Sequence, residues 1–288
     1  MIGLRSKRII SDTIIYIVLT VMVVIWLFPL LWMILRAFDT NQSLTSTTVF
    51  PKDFTTVNFR NLFPGGADYD SNPYARWLLN TFVVAIISCV ISTLFVLMVS
   101  YALSRLRFKA RKKLMNISLI LGLFPGFLSM VLLYEIFKLA NLTNNLVGLA
   151  LVYSLASGTG YYIVKGFFDT VPMAIDEAAR IDGATKNRIF WQMILPLSKP
   201  IIIYTILTNF ISPWCDFIMA KLFMNDPTNQ YMTVAVGLQS WLNDRTKVAT
   251  FFARFCAGGT LIAVPIVILY MIMQKFYVAG ITGGAAKG

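Results

Sequence analysis

Histidine is absent from this 288-residue chain, which removes the commonest transition-metal ligand and the usual proton-transfer group near neutral pH. A histidine-based metal site and a Ser-His-Asp triad are both excluded, and no metal ligands are assigned. Cysteine is scarce: Cys89, Cys215 and Cys256 lie far apart inside apolar stretches. They offer no disulfide framework and read as small buried hydrophobes. Charge is also scarce, at 13% of residues, where a soluble domain carries about 25%. The phosphate-cradling pattern Gly-x-x-x-x-Gly-Lys-Ser/Thr is missing, so ATP binding through such a loop is excluded. No paired-carboxylate constellation is present, and no catalytic residue is assigned.

What the chain has in quantity is apolar sequence, 57% of it. Runs long enough to cross about 30 Å of hydrocarbon occur at about 14–35, 78–103, 115–137, 146–168, 197–222 and 252–276. The first contains Pro29 and lacks a small-residue cleavage site before the following loop, so it reads as a span and not a removed leader. The expected fold is all-α, a single membrane domain of six spans over residues 1–288.

The net charge of +12 is explained by its placement. Arg5, Lys7 and Arg8 precede the first span, and Arg105, Arg107, Lys109, Arg111, Lys112 and Lys113 fill the gap after the second with no acid among them. The loop at 36–77 is mixed, setting Asp39, Asp53, Asp68 and Asp70 against Arg36, Lys52, Arg60 and Arg76. By the positive-inside rule both termini and the loops near 104–113 and 169–196 face the cytoplasm. The basic excess is a topology signal with some attraction to anionic membrane lipid, not a nucleic-acid footprint. The 36–77 loop is external, rich in Thr, Asn, Pro and Gly, with one short surface helix. It is read either as a docking surface for an outside partner or as a plain connector.

The segment 170–196 is polar and patterned. Pro172 suits a helix start, Asp176 and Glu177 fall near the positive end of the macrodipole, and Ala174, Ala178 and Ile181 form a narrow apolar stripe at helical spacing. Asp182-Gly183 breaks the run; glycine permits the turn, and Asp182 is placed to cap a second helix from about Ala184. Ile189, Phe190, Met193 and Ile194 give that helix its own apolar face, and Pro196 marks entry to the fifth span. Periodicity leaves two readings open: a surface helix packed on its own bundle, or a docking element for a soluble partner.

Two acids fall inside spans. Asp216, near Asn209, Pro213 and Trp214, costs roughly 2.5–3.5 kcal/mol at a helix centre on insertion scales and must face the bundle interior or a water-filled path. Pro213 cannot donate to the Asn209 carbonyl, and broken helices of this kind mark transporter binding sites. Asp216 is read either as lining a pathway or as part of a polar network with Trp214, Asn209 or a neighbouring subunit. Glu135, beside Tyr134 in the third span, is a second pathway candidate.

Glu177-Ala178-Ala179, Gly183 six residues after the glutamate, Ala184, and Ile194-Leu195-Pro196 resemble the EAA loop of membrane subunits of bacterial ABC importers. Six spans, the long external loop and the run from Gln274 to Gly288 are similar to the shorter permease subunit of maltose-type transporters. The resemblance implies that Glu177, Ala178, Ala179, Asp182, Gly183, Ala184, Phe190, Leu195 and Pro196 form a coupling helix seated in a cleft of a cytoplasmic ATPase. It also implies that the tail 277–288, with Gly280, Thr282, Gly283, Gly284 and Lys287, reaches between two ATPase subunits; from composition it is a flexible basic end that fits either a narrow interface or a disordered terminus. The implied partners are a second, longer permease, two ATPase subunits that bind ATP and Mg, an extracytoplasmic sugar-binding protein and an oligosaccharide. Maltodextrin is the nearest sugar by resemblance, with galacto-oligosaccharide and raffinose-type sugars as alternatives. The expected location is the bacterial inner (plasma) membrane. A self-contained ion-coupled transporter is the rival reading; it predicts ionisable residues in several spans and inverted repeats.

Overall fold

The computed structural model describes residues 4–285 except 45–49, 156–159, 225–227, 229 and 244, and side chains within 11–274 apart from Arg245. Among the described residues it is helical, with one isolated β-bridge, Asp39 to Phe54. The chain divides into two compact units, Met1–Asp70 with Ser240–Leu261, and Ser71–Gln239 with Ile262–Gly288.

The first unit is built on α1 (Leu4–Ala37). Residues 11–31 of α1 are exposed throughout, so this stretch, which carries the first expected span, reserves its whole apolar surface for lipid or protein. The loop that follows is more ordered than its composition suggests. A buried Arg36–Asp39 ion pair stands at its start, and Arg36 also donates to the Ser43 carbonyl. Asn58, fully buried within the short helix α2 (Val57–Arg60), donates to the carbonyls of Ala37 at 3.0 Å and Asp39 at 2.8 Å. These side chains satisfy backbone groups that helix and sheet leave unpaired, which gives an irregular segment a fixed path. In the same unit Arg254 pairs with Asp68 at 3.7 Å.

In the second unit α3 (Tyr74–Arg105) is the spine. Its buried stripe mixes small and hydroxyl residues, Thr81, Ser88, Ser92 and Ser100, with Val84, Val96 and Tyr101. Thr81 and Ser100 return their hydroxyls to their own helix, at 2.8 Å to the Trp77 carbonyl and 2.6 Å to that of Val96. Small, internally satisfied residues let neighbouring helices approach closely where lipid supplies no hydrophobic drive. Around the N-terminal half of α3 one core gathers Val84, Phe137, Leu149, Val152, Phe223 and Val236; around its C-terminal half a second gathers Val96, Tyr101, Val164, Phe168, Ala179 and Ile189. The second core carries the candidate site.

Three of the expected spans are interrupted. The stretch expected as one helix at 115–137 is α4 (Arg111–Gly122) and α5 (Gly126–Leu139), bent by 103°. Pro125 lacks an N–H and disfavours helix in the residue before it, so the chain turns there. The stretch at 146–168 is α6 (Leu146–Leu155) and α7 (Gly160–Thr170). The segment 170–196 is α8 (Met173–Ile181), α9 (Lys186–Ile189), one π turn (Phe190–Ile194) and α10 (Leu195–Leu197). The fifth expected span is α11 (Lys199–Cys215), which stops at Asp216, and α12 (Ile218–Phe223); α13 (Val234–Ser240) follows. The last helix, α14 (Arg245–Ala285), runs on through residues expected as a flexible tail. Extending an existing helix costs far less than nucleating one, so even a Gly-rich end can continue it.

Candidate coupling segment and polar helix break

At α8 the local sequence dictates a defined stop. Ile181 is the last residue and Asp182 the C-cap, Gly183 takes φ +79°, its N–H bonds to the Arg180 carbonyl at 3.0 Å, and the Ala184 N–H bonds to that of Ala179 at 2.9 Å. This is the paired 6→1 and 5→2 closure of a Schellman motif, which requires the left-handed residue that glycine supplies. The next helix is capped by Thr185, whose hydroxyl accepts the Arg188 N–H at 3.2 Å. That corrects the expectation for Asp182: Gly183 and Ala184 are consumed by the turn, so the second helix starts too late for Asp182 to reach its free N–H groups. Asp182 is exposed at the end of α8 instead.

The two faces of α8 do different things. Asp176 and Ala179 are buried on the second core. Ala174, Glu177, Ala178 and Ile181 are exposed, Ile181 by 86%. The sequence-derived stripe of Ala174, Ala178 and Ile181 therefore points away from its own bundle. Past the turn, Ile189, Phe190 and Ile194 are buried, and the Phe190 ring lies 4.8 Å from that of Tyr101, whose hydroxyl donates to the Lys186 carbonyl at 3.0 Å. The Leu195 N–H bonds to the Phe190 carbonyl, the five-residue step of the π turn; Pro196, which has no N–H, follows and is exposed.

Sequence reasoning missed the group that holds α8 in place. Arg105, the last residue of α3, is buried and donates through Nη2 to the carbonyls of Phe168 and Val171, both at 2.7 Å, while Nη1 lies 3.2 Å from the Asp176 carboxylate. One guanidinium thus satisfies carbonyls at the end of α7, where a cation also meets the negative end of the helix dipole, and ties α3 and α7 to α8. Neighbouring contacts reinforce the junction: Ser104 donates to Asp169 at 2.6 Å and Lys165 pairs with Asp169 at 2.5 Å. Arg105 read only as one member of a basic run, and Asp176 only as a dipole partner. The available signal was an acid at the start of a surface helix that also carries a shallow apolar stripe on its other side.

Of the remaining candidates, Tyr134 packs on the first core and Asp216 bonds to Tyr153 within it. Asp216 sits in the break between α11 and α12, half-buried, its Oδ1 accepting the N–H groups of Ile218 at 2.9 Å and Met219 at 3.2 Å. Its Oδ2 accepts the Tyr153 hydroxyl at 3.2 Å. The carboxylate is a cap and a network member, but its partners differ from those the sequence suggested. Asn209 instead donates to the Thr93 hydroxyl at 3.2 Å, and Trp214 is buried among Phe82 and Phe210. Tyr134 packs edge-on against Phe223 at 5.6 Å between centroids, and Glu135 is exposed. Gly280, Thr282, Gly283 and Gly284 lie on α14, where only the backbone is described, and Lys287 lies outside the described residues altogether.

Asp216→Ala removes both the cap and the tyrosine partner and is expected to cost about 0.5–2 kcal/mol, the range of a lost N-cap. Asp216→Asn keeps an acceptor oxygen and is expected to unfold in detergent close to the parent. Substrate uptake should follow stability in both; a raised KM in Asp216→Asn at unchanged stability would reassign the residue to ligand contact.

The family described as binding-protein-dependent transport system inner membrane component matches residues 81–283, a stretch that includes α8, the glycine turn and Asp216. The chain is 34% identical to the galactooligosaccharides transport system permease protein GanQ of Bacillus subtilis (strain 168), over 99% of each chain. It is also 34% identical to the maltodextrin transport system permease protein MalD of Streptococcus pneumoniae, again over 99% of each. Its fold is similar to a chain in the crystal structure of a bacterial ABC transporter involved in the import of the acidic polysaccharide alginate, with TM-score 0.74 and 20% identity, covering 96% of this chain and 99% of that one.

Proposed function

Since the chain belongs to the binding-protein-dependent transport system inner membrane component family, as a permease subunit of an ABC carbohydrate importer, we propose that it forms half of an oligosaccharide pathway and couples that pathway to a cytoplasmic ATPase through α8 and the Gly183 turn. The observation that carries the reading is the division of α8. Its Asp176 face is pinned to the bundle, while the shallow Ala174–Ala178–Ile181 stripe and Glu177 are left outward. Alanines on that stripe allow a partner backbone to come close, and the exposed Ile181 supplies an apolar anchor.

In this mechanism ATP closes the ATPase dimer and α8 moves with it. The Arg105–Asp176 pair passes the displacement to α3 and α7, and the spans open outward to receive sugar from an extracytoplasmic binding protein. Hydrolysis, carried out by the partner, resets the inward-facing state. Each of ATP, sugar and binding protein shifts the equilibrium only by its differential affinity for the two states. Both termini face the cytoplasm in this arrangement, as the basic loops require. A second permease supplies the other half of the pathway.

The sugar is a maltodextrin on the sequence resemblance; the equal identity to a galactooligosaccharide permease supports galacto-oligosaccharides as a second reading. Purification of the tagged chain from its host in mild detergent is expected to recover an ATPase and a second permease. Uptake of labelled maltotriose into cells, competed by each unlabelled sugar class, then separates the two substrates. Recovery of the chain by itself in several detergents, with uptake driven by an ion gradient, would replace this reading with an ion-coupled carrier.

A further inference from the structure

Where the exposed Met173, Glu177 and Arg180 of α8 meet the end of α3 lies a cavity of about 260 Å³. It is lined by Arg105, Arg107, Met173, Glu177, Arg180 and Lys186, with Leu106. Arg105 is 3% exposed, and its charge is committed to Asp176, but its Nε has no hydrogen-bond partner. Arg107, Arg180 and Lys186 then face a single carboxylate, Glu177, so the remaining cavity charge is positive. A concave, partly enclosed site with an excess of one sign of charge concentrates counter-ions more than the same charges spread on a flat surface. The cavity opens at the end of α3, where Arg107 begins the basic run that continues through Lys109, Arg111, Lys112 and Lys113.

We propose that this cavity holds the phosphate of an anionic phospholipid headgroup, with Arg107, Arg180 and Lys186 as its cationic partners. Location selects the lipid. The site adjoins the terminus of a membrane-length helix, and a cluster of basic residues immediately past a span attracts anionic lipid. Arginine supplies a planar fork for two phosphate oxygens, and lysine a mobile point charge. Glu177 stands where it accepts a hydrogen bond from a headgroup hydroxyl, which favours a glycerol headgroup over a bare phosphate. Because Arg180 and Glu177 belong to α8 and Arg107 follows α3, an occupied cavity adds a second tether between the two, parallel to the Arg105–Asp176 pair. The inference rests on the inward orientation of this end of α3 given above, but its readout does not require transport.

The test is native mass spectrometry of the full chain, delipidated in detergent and titrated with phosphatidylglycerol, phosphatidylcholine or inorganic phosphate. The expected result is retention of phosphatidylglycerol in preference to phosphatidylcholine, reduced at least about tenfold in Arg107→Gln/Arg180→Gln/Lys186→Gln. The same loss of charge outside the cavity, Lys109→Gln/Lys112→Gln/Lys113→Gln, is expected to leave retention near that of the parent. Equal losses in both triple variants would reduce the effect to diffuse charge attraction and overturn the site. Displacement of the lipid by millimolar inorganic phosphate would overturn the lipid assignment. So would loss of the lipid on reconstitution with the copurified ATPase, which would make an acidic side chain of that partner the occupant. Circular dichroism of the cavity variant guards against misfolding, and native helix content together with lost retention completes the expected result. Because the lipid titration itself is made on the chain without partners, failure there leaves the importer reading standing, and failure to recover an ATPase leaves the lipid result standing.

Discussion

Gly183→Phe is expected to abolish sugar uptake and release the ATPase while the chain still inserts into the membrane at normal abundance. Gly183 occupies φ +79°, and a Cβ at that position would meet nothing within 4 Å. The chain has room for a side chain there; the cost is backbone strain, roughly 1–2 kcal/mol for a non-glycine residue in the left-handed region. That amount loosens one turn but does not unfold a bundle of long apolar helices. Gly183→Ala carries nearly the same strain without the bulk, so it is expected to lower uptake only partly. The phenylalanine ring projects from the outward end of α8, where the proposed partner must seat. Copurified ATPase per unit of permease, measured beside uptake of labelled sugar, separates the two effects. Normal uptake and association in Gly183→Phe would remove α8 from the coupling interface.

Asp176→Asn should damage the protein from within. It leaves the Arg105 guanidinium buried, with two carbonyl acceptors but no counter-charge. Breaking one partner of a buried pair typically costs about 3–5 kcal/mol, whereas replacing both by apolar residues of similar volume is often close to neutral. The thermal midpoint in detergent is therefore expected to fall clearly in Asp176→Asn. Arg105→Met/Asp176→Leu should recover part of the loss, the remainder reflecting the Phe168 and Val171 carbonyls left without Arg105. A double-mutant cycle is expected to give a coupling of about 0.5–3 kcal/mol, as for residues in direct contact. ATPase stimulation by sugar-loaded binding protein, assayed in the recovered double variant, should stay low, because the tether from α3 to α8 is gone even though the fold is intact. Additive single effects would show that the two residues act separately and that force passes through other contacts.

The candidate site was legible in the sequence where the controlling interactions are local. Gly183 six residues after Glu177 marks the end of α8 because a Schellman closure needs only the residues around it. Ile189, Phe190 and Ile194 read as one buried face because helical spacing alone brings them together. Asp182 misled because capping depends on where a helix begins to within a residue, and the turn used two residues more than the pattern suggested. Asp216 was recognised as an anomaly from its acid in an apolar run, yet its partners, Tyr153 and the first turn of α12, followed from a helix break that composition does not locate.

By itself the sequence determined that this is a membrane protein of apolar helices, which loops carry the basic charge, that no ATP-binding loop of the usual kind is present, and where the glycine turn that ends α8 lies. Each of these depends on single residues, their neighbours, or their transfer free energy into hydrocarbon. Tertiary structure decided which face of α8 is buried, which arginine of a run enters the interior, and where α4 turns into α5. It also decided that Arg105 meets Asp176. Those outcomes are set by packing between segments distant in the chain, where a buried charge settles only where acceptors from several helices converge on it.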